Sequence, residues 1–218
     1  MKIELIIILL IVISIVLFLV IRWFNNDRRA QRALDKYLNS SLSSEEIGRF
    51  YERYIGYLYE IEGREVIYHG ALNGGADLGR DLIVKCDDKI FIIQTKCWSK
   101  NKRIQEKHIF QLYGSMTHYK LTSRNIGFSI NSVFYTTTEY SEVAKSAAQV
   151  LGVGLKTKSL NRSYPMIKCK VFENGNKSYY LPFDPYYDEF RIERHRGEFF
   201  VTTVKEAVAM GFQRSKSV

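Results

Sequence analysis

Three polar residues, Asp81, Gln94 and Lys96, stand at one end of two segments that otherwise have the apolar composition of β-strands. Two aspartates separate the segments, and such a short polar connection predicts a tight hairpin turn. If Cys86 pairs with Lys89 across this turn, Asp81 lies directly opposite Gln94, and Lys96 shares the same face of the hairpin. A turn one residue longer would shift the register and separate the three side chains. The tighter register therefore predicts a site.

The chemistry that suits this group is the hydrolysis of a phosphodiester. The Asp81 carboxylate and the side-chain oxygen of Gln94 are hard ligands that suit Mg²⁺, with Mn²⁺ as a second candidate. Such a metal would polarise the phosphoryl oxygen and lower the pKa of the attacking water. Lys96 would orient that water or offset charge in the transition state. Each residue alone has an ordinary interpretation, since an aspartate at a strand start is usually a turn residue and a lone strand lysine usually faces solvent.

A fourth polar group, Glu52, belongs to a predicted helix that begins after Ser43. Ser43 and Glu46 have the spacing of a capping box. Gly48 and Gly56 lie one turn to either side of Glu52, and each costs about 1 kcal/mol relative to alanine inside a helix. A close approach of the helix to another element would compensate, and it would bring Glu52 to that element as a further metal ligand. Taken alone, Glu52 would more often be a surface carboxylate.

The chain is basic, with a net charge of +9 and a pI near 9.4. This charge favours a polyanionic partner, either nucleic acid or anionic lipid, although a basic surface also serves solubility. A cluster of cations follows Lys96 directly, and we predict that it contacts nucleic acid: Lys100, Lys102, Arg103 and Lys107. No small-molecule substrate is evident from the sequence.

The middle region predicts an α/β fold. A helix with Ile109, Leu112, Tyr113 and Met116 at core spacing follows the basic cluster, then come a strand over 131–137 and a helix over 141–151. Strands that alternate with helices predict a small mixed sheet with flanking helices. The three cysteines include no CxxC pair, which disfavours a zinc ribbon or a disulfide framework and favours a reducing compartment.

The N-terminal region, residues 1–24, is predicted to be a transmembrane anchor. Residues 5–21 carry no charged side chain, and this run with the aromatic residues that follow approaches the length of a membrane span. The arginines after the run predict an N-terminus outside and the later domains in the cytoplasm, in a single-pass protein of the inner membrane. Positive charge would precede the run in a signal peptide. Residues 25–42 are predicted to be a basic juxtamembrane linker, helical in part, that touches lipid headgroups.

The polar residues lie in motifs that resemble the Mrr-like branch of the PD-(D/E)xK nucleases. The motifs are Tyr51-Glu52, the segment GADLGRDLI over 75–83, and QTKCW over 94–98. The resemblance covers 43–160, and it implies a restriction-endonuclease-like core that cleaves DNA with Mg²⁺, in the manner of type IV restriction enzymes. Carried over by position, it makes four residues catalytic, of which the first three are also metal ligands: Glu52, Asp81, Gln94 and Lys96.

Two positions bear on this resemblance. Thr95 stands where the family often has a cysteine, and we expect the difference to be tolerated. Asp77 matches an acidic position of the family's loop, but a turn-forming role accounts for it equally well.

The C-terminal region, residues 161–218, is predicted to be a small separate α+β module. Residues 166–172 and 177–181 predict a hairpin around an Asn-Gly turn, and Thr203 caps a short helix. The spacing of its aromatic residues is similar to the metal-binding module of the Ada DNA-repair protein. The zinc-binding cysteines of that module are missing, since Asp184 stands where a cysteine is expected and Cys169 alone cannot hold zinc. The resemblance therefore implies a zinc-free contact module.

Together these features predict a membrane-anchored, Mg²⁺-dependent endonuclease that acts on DNA at the cytoplasmic face, in defence against foreign DNA. Two alternatives stay open: a non-catalytic module that tethers DNA to the membrane, and a scaffold whose basic surface faces lipid. RNA is a variant substrate that the sequence does not distinguish from DNA. One active site cuts one strand, so cleavage of both strands would require a homodimer.

Overall fold

The computed structural model describes residues 2–70, 78–125 and 127–215. Two sheets and several helices organise these residues, and five α-helices among them position the site or pack against the sheets. In chain order, the helices are α1 (Lys2–Asn39), α2 (Ser44–Glu60), α3 (Glu106–Thr122), α4 (Glu142–Leu151) and α5 (Val204–Ala209). The strands of the first sheet are β1 (Glu65–Ile67), β2 (Leu82–Cys86), β3 (Lys89–Lys96), β4 (Ser129–Thr136) and β5 (Gly154–Thr157).

The first sheet is mixed, and its spatial order is β1-β2-β3-β4-β5. The first three strands are antiparallel, whereas β3, β4 and β5 run parallel because α3 and α4 return the chain between them. Alternate strand residues face opposite sides, so Leu82 and Ile93 pack with α2, and Ile83 and Ile92 pack with α3 and α4. This arrangement confirms the predicted mixed sheet with flanking helices. Tyr113, predicted to be in the core, is 36% exposed.

The hairpin of β2 and β3 has the predicted register. Cys86 pairs with Lys89 and Leu82 pairs with Ile93. The main-chain N–H of Asp81 donates to the carbonyl of Ile93 at 2.9 Å, so the pairing continues one residue beyond β2. The two-residue connection is thus confirmed as the feature that sets the register.

The start of α2 and one of its glycines also follow the prediction. Ser43 and Glu46 form the capping box, with both reciprocal hydrogen bonds present. A Cβ on Gly56 would lie 2.5 Å from the ring of Tyr68, so the helix approaches this ring closely. Gly48 has open space around its Cβ position, and the predicted close approach therefore holds at only one of the two glycines.

The second sheet is built from the C-terminal residues. Its strands are β6 (Ile167–Val171), β7 (Lys177–Tyr180), β8 (Phe199–Val201) and β9 (Gln213–Arg214), in the spatial order β8-β6-β7-β9. The hairpin of β6 and β7 and the capping box of Thr203 on α5 are both as predicted. The similarity of this region to the Ada module stays a prediction.

The C-terminal sheet shares one apolar core with the face of the first sheet that α2 covers. Phe50 of α2, Leu82 of β2 and Ile167 of β6 belong to the same buried cluster. An ion pair reinforces the contact, because the Arg53 guanidinium donates to both carboxylate oxygens of Asp188 at 2.8 and 2.6 Å. The expected boundary between residues 160 and 161 falls between the two sheets, but the core continues across it.

Helix α1 runs without a break from Lys2 to Asn39. Its second half packs against the C-terminal sheet: Leu34 is fully buried, and Asp27 accepts a hydrogen bond from the Tyr179 hydroxyl at 2.9 Å. Residues 25–42, predicted to be a linker, are thus mostly helix, and part of that helix is held in the core. Among the described residues, no helix is long and apolar enough to cross a membrane.

Candidate active site

A cleft of about 730 Å³ opens between the first turns of α2 and the carboxyl end of β3. Three of the four predicted catalytic residues line it: Glu52, Asp81 and Lys96. They come from a helix, from the residue before a strand and from the last residue of a strand, so tertiary packing brings them together. The cleft is the candidate active site.

Asp81 is tied to β3 through its main chain and its side chain. Its N–H donates to Ile93, and its carbonyl accepts from the N–H of Gly70, each at 2.9 Å. Oδ2 of its carboxylate accepts two hydrogen bonds from Thr95, one from the main-chain N–H at 2.6 Å and one from the hydroxyl at 2.9 Å. The position of this carboxylate is therefore fixed relative to the strand that carries Lys96.

Glu52 reaches the same place from α2 and is only 7% exposed. Gly70 shows how closely the two acidic residues approach each other. A Cβ on Gly70 would lie 3.1 and 3.2 Å from the two carboxylate oxygens of Glu52 and 3.3 Å from the Cα of Asp81. A larger residue at this position would displace one of them. The helix thus delivers Glu52 to the sheet, as its predicted close approach requires.

Cations line the other side of the cleft. The carbonyl of Lys96 accepts from the Thr136 hydroxyl at 2.9 Å, which holds the end of β3 against β4. The Lys102 ammonium lies 4.0 Å from the ring centroid of Trp98, and both residues line the cleft. This separation is within the range of a cation–π interaction, so Trp98 positions the Lys102 ammonium at the cleft.

The surroundings of His108 indicate a positive electrostatic potential beside the cleft. Burial lowers the pKa of its imidazole, and the nearby charges of Lys107, Lys96 and Lys102 lower it further. The ring packs edge-on against Trp98, with the centroids 5.2 Å apart. His108 therefore supports the wall of the cleft, and the same cations are available to a phosphate.

Gln94 differs from its predicted placement, because it does not line the cleft. It is 2% exposed and faces α3, where its Nε2 lies 3.2 Å from the Cβ position of Gly79, beside the amide of Gln111. Its Oε1 is buried and accepts no hydrogen bond from the described part of the chain. The hairpin register is as predicted, but Asp81 precedes the strand, so its carboxylate turns to Thr95. The role of Gln94 as a ligand stays a prediction.

The predicted nucleic-acid-binding residues separate into two groups. Lys102 lines the cleft. The others are exposed, and Arg103 forms an ion pair with Glu139 at 3.2 Å. Asp77 lies outside the described residues. Sequence reasoning missed Thr95, whose position between Gln94 and Lys96 was the available signal.

No cluster of three or more His, Cys, Asp or Glu side chains able to hold a metal occurs within 2–70, 78–125 and 127–215. Oxygen donors at the cleft are nevertheless present in the two carboxylates of Glu52 and Asp81. Hard cations such as Mg²⁺ need few protein ligands, because they keep several waters and contact the substrate phosphate.

Comparison with known proteins identifies the family to which this chain belongs. Residues 44–158, more than half of the chain, match the model of the Mrr catalytic domain, described as a restriction endonuclease. No curated protein matches the chain. Two solved structures match part of the chain. One is a protein of unknown function, AF1548 (22% identity, TM-score 0.39, 53% of this chain and 59% of that one). The other is the MspJI restriction endonuclease with a 27-mer oligonucleotide (12% identity, TM-score 0.34, 60% and 29%). This chain thus spans less than two thirds of either protein.

Proposed function

The chain belongs to the restriction endonuclease family of the Mrr catalytic-domain type, and from this membership we propose that it is a metal-dependent endonuclease that hydrolyses DNA phosphodiester bonds. The observation that carries the proposal is the convergence of Glu52, Asp81 and Lys96 on one cleft. Two carboxylates beside a lysine are the groups that phosphodiester hydrolysis needs. A protein that only binds DNA would need the basic surface but not the pair of carboxylates at the cleft.

The donors at the cleft fit Mg²⁺, and Mn²⁺ would accept the same oxygens. Asp81 and Glu52 would hold the ion, and Gln94 could join them as a third oxygen ligand only if its side chain turned from α3 towards the cleft. When bound, such an ion supplies Lewis-acid polarisation of the phosphoryl group and a more acidic water.

The chain's own residues would do the rest. Thr95 holds the Asp81 carboxylate in place, so that the acidic pair is oriented before the substrate arrives. Lys96 would face the phosphate and offset the negative charge that builds up on it in the transition state. Lys102, positioned by Trp98, would bind a neighbouring phosphate.

Removing the metal tests the proposed activity. We expect full-length protein in detergent to nick or linearise supercoiled plasmid with Mg²⁺, to stop when EDTA is added, and to resume when Mg²⁺ is restored in excess. Linearisation would require two active sites and so a homodimer, and a parallel reaction with RNA tests the variant substrate. Salt-sensitive DNA binding without cleavage would favour the tethering module, and neither binding nor cleavage would favour the lipid-facing scaffold.

Lys102 gives a second test of DNA as the partner. Lys102→Ala should weaken DNA binding several-fold, because it removes one phosphate contact at the cleft. The slope of the logarithm of the binding constant against the logarithm of salt concentration should become less steep by about one. Lys120→Ala is the matched control, since Lys120 is an exposed lysine that does not line the cleft and lies outside the predicted basic cluster. Filter binding at several salt concentrations measures both variants. Equal effects would mean that only the net charge matters.

We place this activity at the cytoplasmic face of the inner membrane, and this location rests on the sequence alone. Residues 5–21 carry no charge, and arginines follow them. A nuclease held there would meet DNA as it enters the cell, which makes defence against foreign DNA the proposed role. We expect full-length chain in the membrane fraction and a chain without residues 1–24 in the soluble fraction, with weaker protection against phage. Recovery of both in the soluble fraction would refute the anchor.

A further inference from the structure

Thr95 makes two hydrogen bonds to one oxygen of Asp81. The main-chain N–H donates to Oδ2 at 2.6 Å, and the hydroxyl donates to the same oxygen at 2.9 Å. Any residue except proline would supply the first bond from position 95. Only a hydroxyl-bearing side chain supplies the second in this geometry, so the identity of the residue matters to Asp81.

The surroundings of Thr95 make the hydroxyl bond specific. The residue is 6% exposed and lines the cleft between α2 and β3. A β-branched side chain is restricted at χ1, so the direction of its hydroxyl is largely set by the backbone. A buried hydroxyl also has to be satisfied, and here the acceptor is the carboxylate. Bonds of this kind to an ionised acceptor are shorter and stronger than neutral ones.

We propose that Thr95 is a positioning residue that orients the Asp81 carboxylate for its metal ion. The inference rests on the proposed function, in which Asp81 is a ligand. The Thr95 hydroxyl acts through Asp81, by preventing rotation of the carboxylate that would hold the metal. Partners that hold a ligand in this way typically change metal affinity by about 10- to 100-fold when they are removed.

The inference bears on the one difference noted from the family, which often has a cysteine where Thr95 stands. A thiol is a weak donor. We therefore expect a graded series in which Thr95→Ser binds metal like the parent protein, Thr95→Cys binds more weakly, and Thr95→Val is the weakest. Valine has nearly the same shape as threonine, so Thr95→Val removes the hydroxyl with little change in packing volume.

The experiment measures metal binding without catalysis. Full-length protein in detergent is titrated with Mn²⁺ while its thermal unfolding is followed, because a ligand of the folded state stabilises it by RT ln(1 + [L]/Kd) and so raises Tm once its concentration exceeds Kd. We expect the Mn²⁺ concentration that produces a given rise in Tm to increase about tenfold in Thr95→Val and to return to the parent value in Thr95→Ser. Plasmid cleavage against Mg²⁺ concentration should show the same order.

A double variant separates positioning from general damage to the fold. If Thr95 acts through Asp81, adding Thr95→Val to Asp81→Asn should weaken metal binding no further. An equal dependence of Tm on Mn²⁺ concentration in the parent protein and Thr95→Val would overturn the inference while leaving the nuclease intact. A parent protein that neither binds Mn²⁺ nor cleaves DNA would overturn the proposed function and the inference with it.

Discussion

Replacing Lys96 with alanine should lower the rate of DNA cleavage by about 100- to 1,000-fold, the usual effect of removing one group that stabilises transition-state charge. Lys96 is the last residue of β3 and lines the cleft beside Asp81. Its side chain is not buried in the apolar core, so the variant should fold normally. The loss should appear in kcat, because the ground-state phosphate carries less charge near this group than the transition state does.

Lys89 supplies the control on the same strand. It is the first residue of β3 and is exposed at the opposite end of the strand from the cleft. Lys89→Ala changes the net charge equally and should leave kcat unchanged. Single-turnover cleavage of plasmid with saturating Mg²⁺ compares the two variants directly. If Lys96→Ala retained more than a third of the parent rate, Lys96 would not belong to the catalytic set.

Local chemistry made much of the first sheet predictable. The register of β2 and β3 follows from a two-residue connection, and the start of α2 follows from Ser43 and Glu46, which satisfy each other's backbone groups. Both features depend only on residues that are a few positions apart, so they can be predicted without knowledge of the tertiary structure. β5 was missed because only four residues, half of them exposed, form it, and they show no apolar alternation.

The site itself was predictable only in part. The sequence identified Glu52, Asp81 and Lys96, and the cleft contains all three. It did not identify Thr95, because the alternation rule applies to residues within a strand and Asp81 lies just before one. The direction of the Asp81 carboxylate is set by a hydrogen bond from Thr95 across the hairpin. Neither the spacing of apolar residues nor the strand propensity of single residues predicts a bond of this kind.

The packing of the C-terminal sheet on α2 was also outside the reach of sequence patterns. It depends on pairs separated by more than a hundred residues, such as Arg53 with Asp188 and Glu60 with Ile192. The aromatic residues of this region indicated a core, but they did not indicate that the core would be shared. The sheet therefore supports the helix that carries Glu52, and this support can be tested by stability.

Lys168 provides that test because it is a lysine with no exposed surface. Its ammonium donates to the carbonyls of Tyr187 and Phe190 at 3.2 and 2.7 Å and lies 4.0 Å from the Glu60 carboxylate. The ring centroids of Tyr68 and Tyr187 are 4.5 and 4.6 Å from it. Burial lowers the pKa of Lys168 and raises that of Glu60, and in each case the charge of the partner opposes the shift.

Lys168→Met should destabilise the protein by about 3–5 kcal/mol, because it leaves the Glu60 carboxylate buried without its cation. For a chain of this length the loss corresponds to a fall in Tm of roughly 10 °C. The double variant Glu60→Gln with Lys168→Met should recover most of the stability, since a buried ion pair can be replaced by uncharged side chains of similar volume at little cost. Thermal unfolding of the four proteins in the cycle measures the coupling.

Lys145→Met is the control, because Lys145 pairs with Glu142 on the exposed surface of α4 and its loss should leave Tm unchanged. The comparison decides whether the C-terminal sheet packs on the catalytic helix. A fall in Tm with Lys168→Met alone, reversed in the double variant, would mean that the second sheet and α2 unfold as one unit and that the sheet helps to hold Glu52 at the cleft. Equal Tm values for Lys168→Met and Lys145→Met would mean that the two sheets are independent and that Glu52 is held by the first sheet alone.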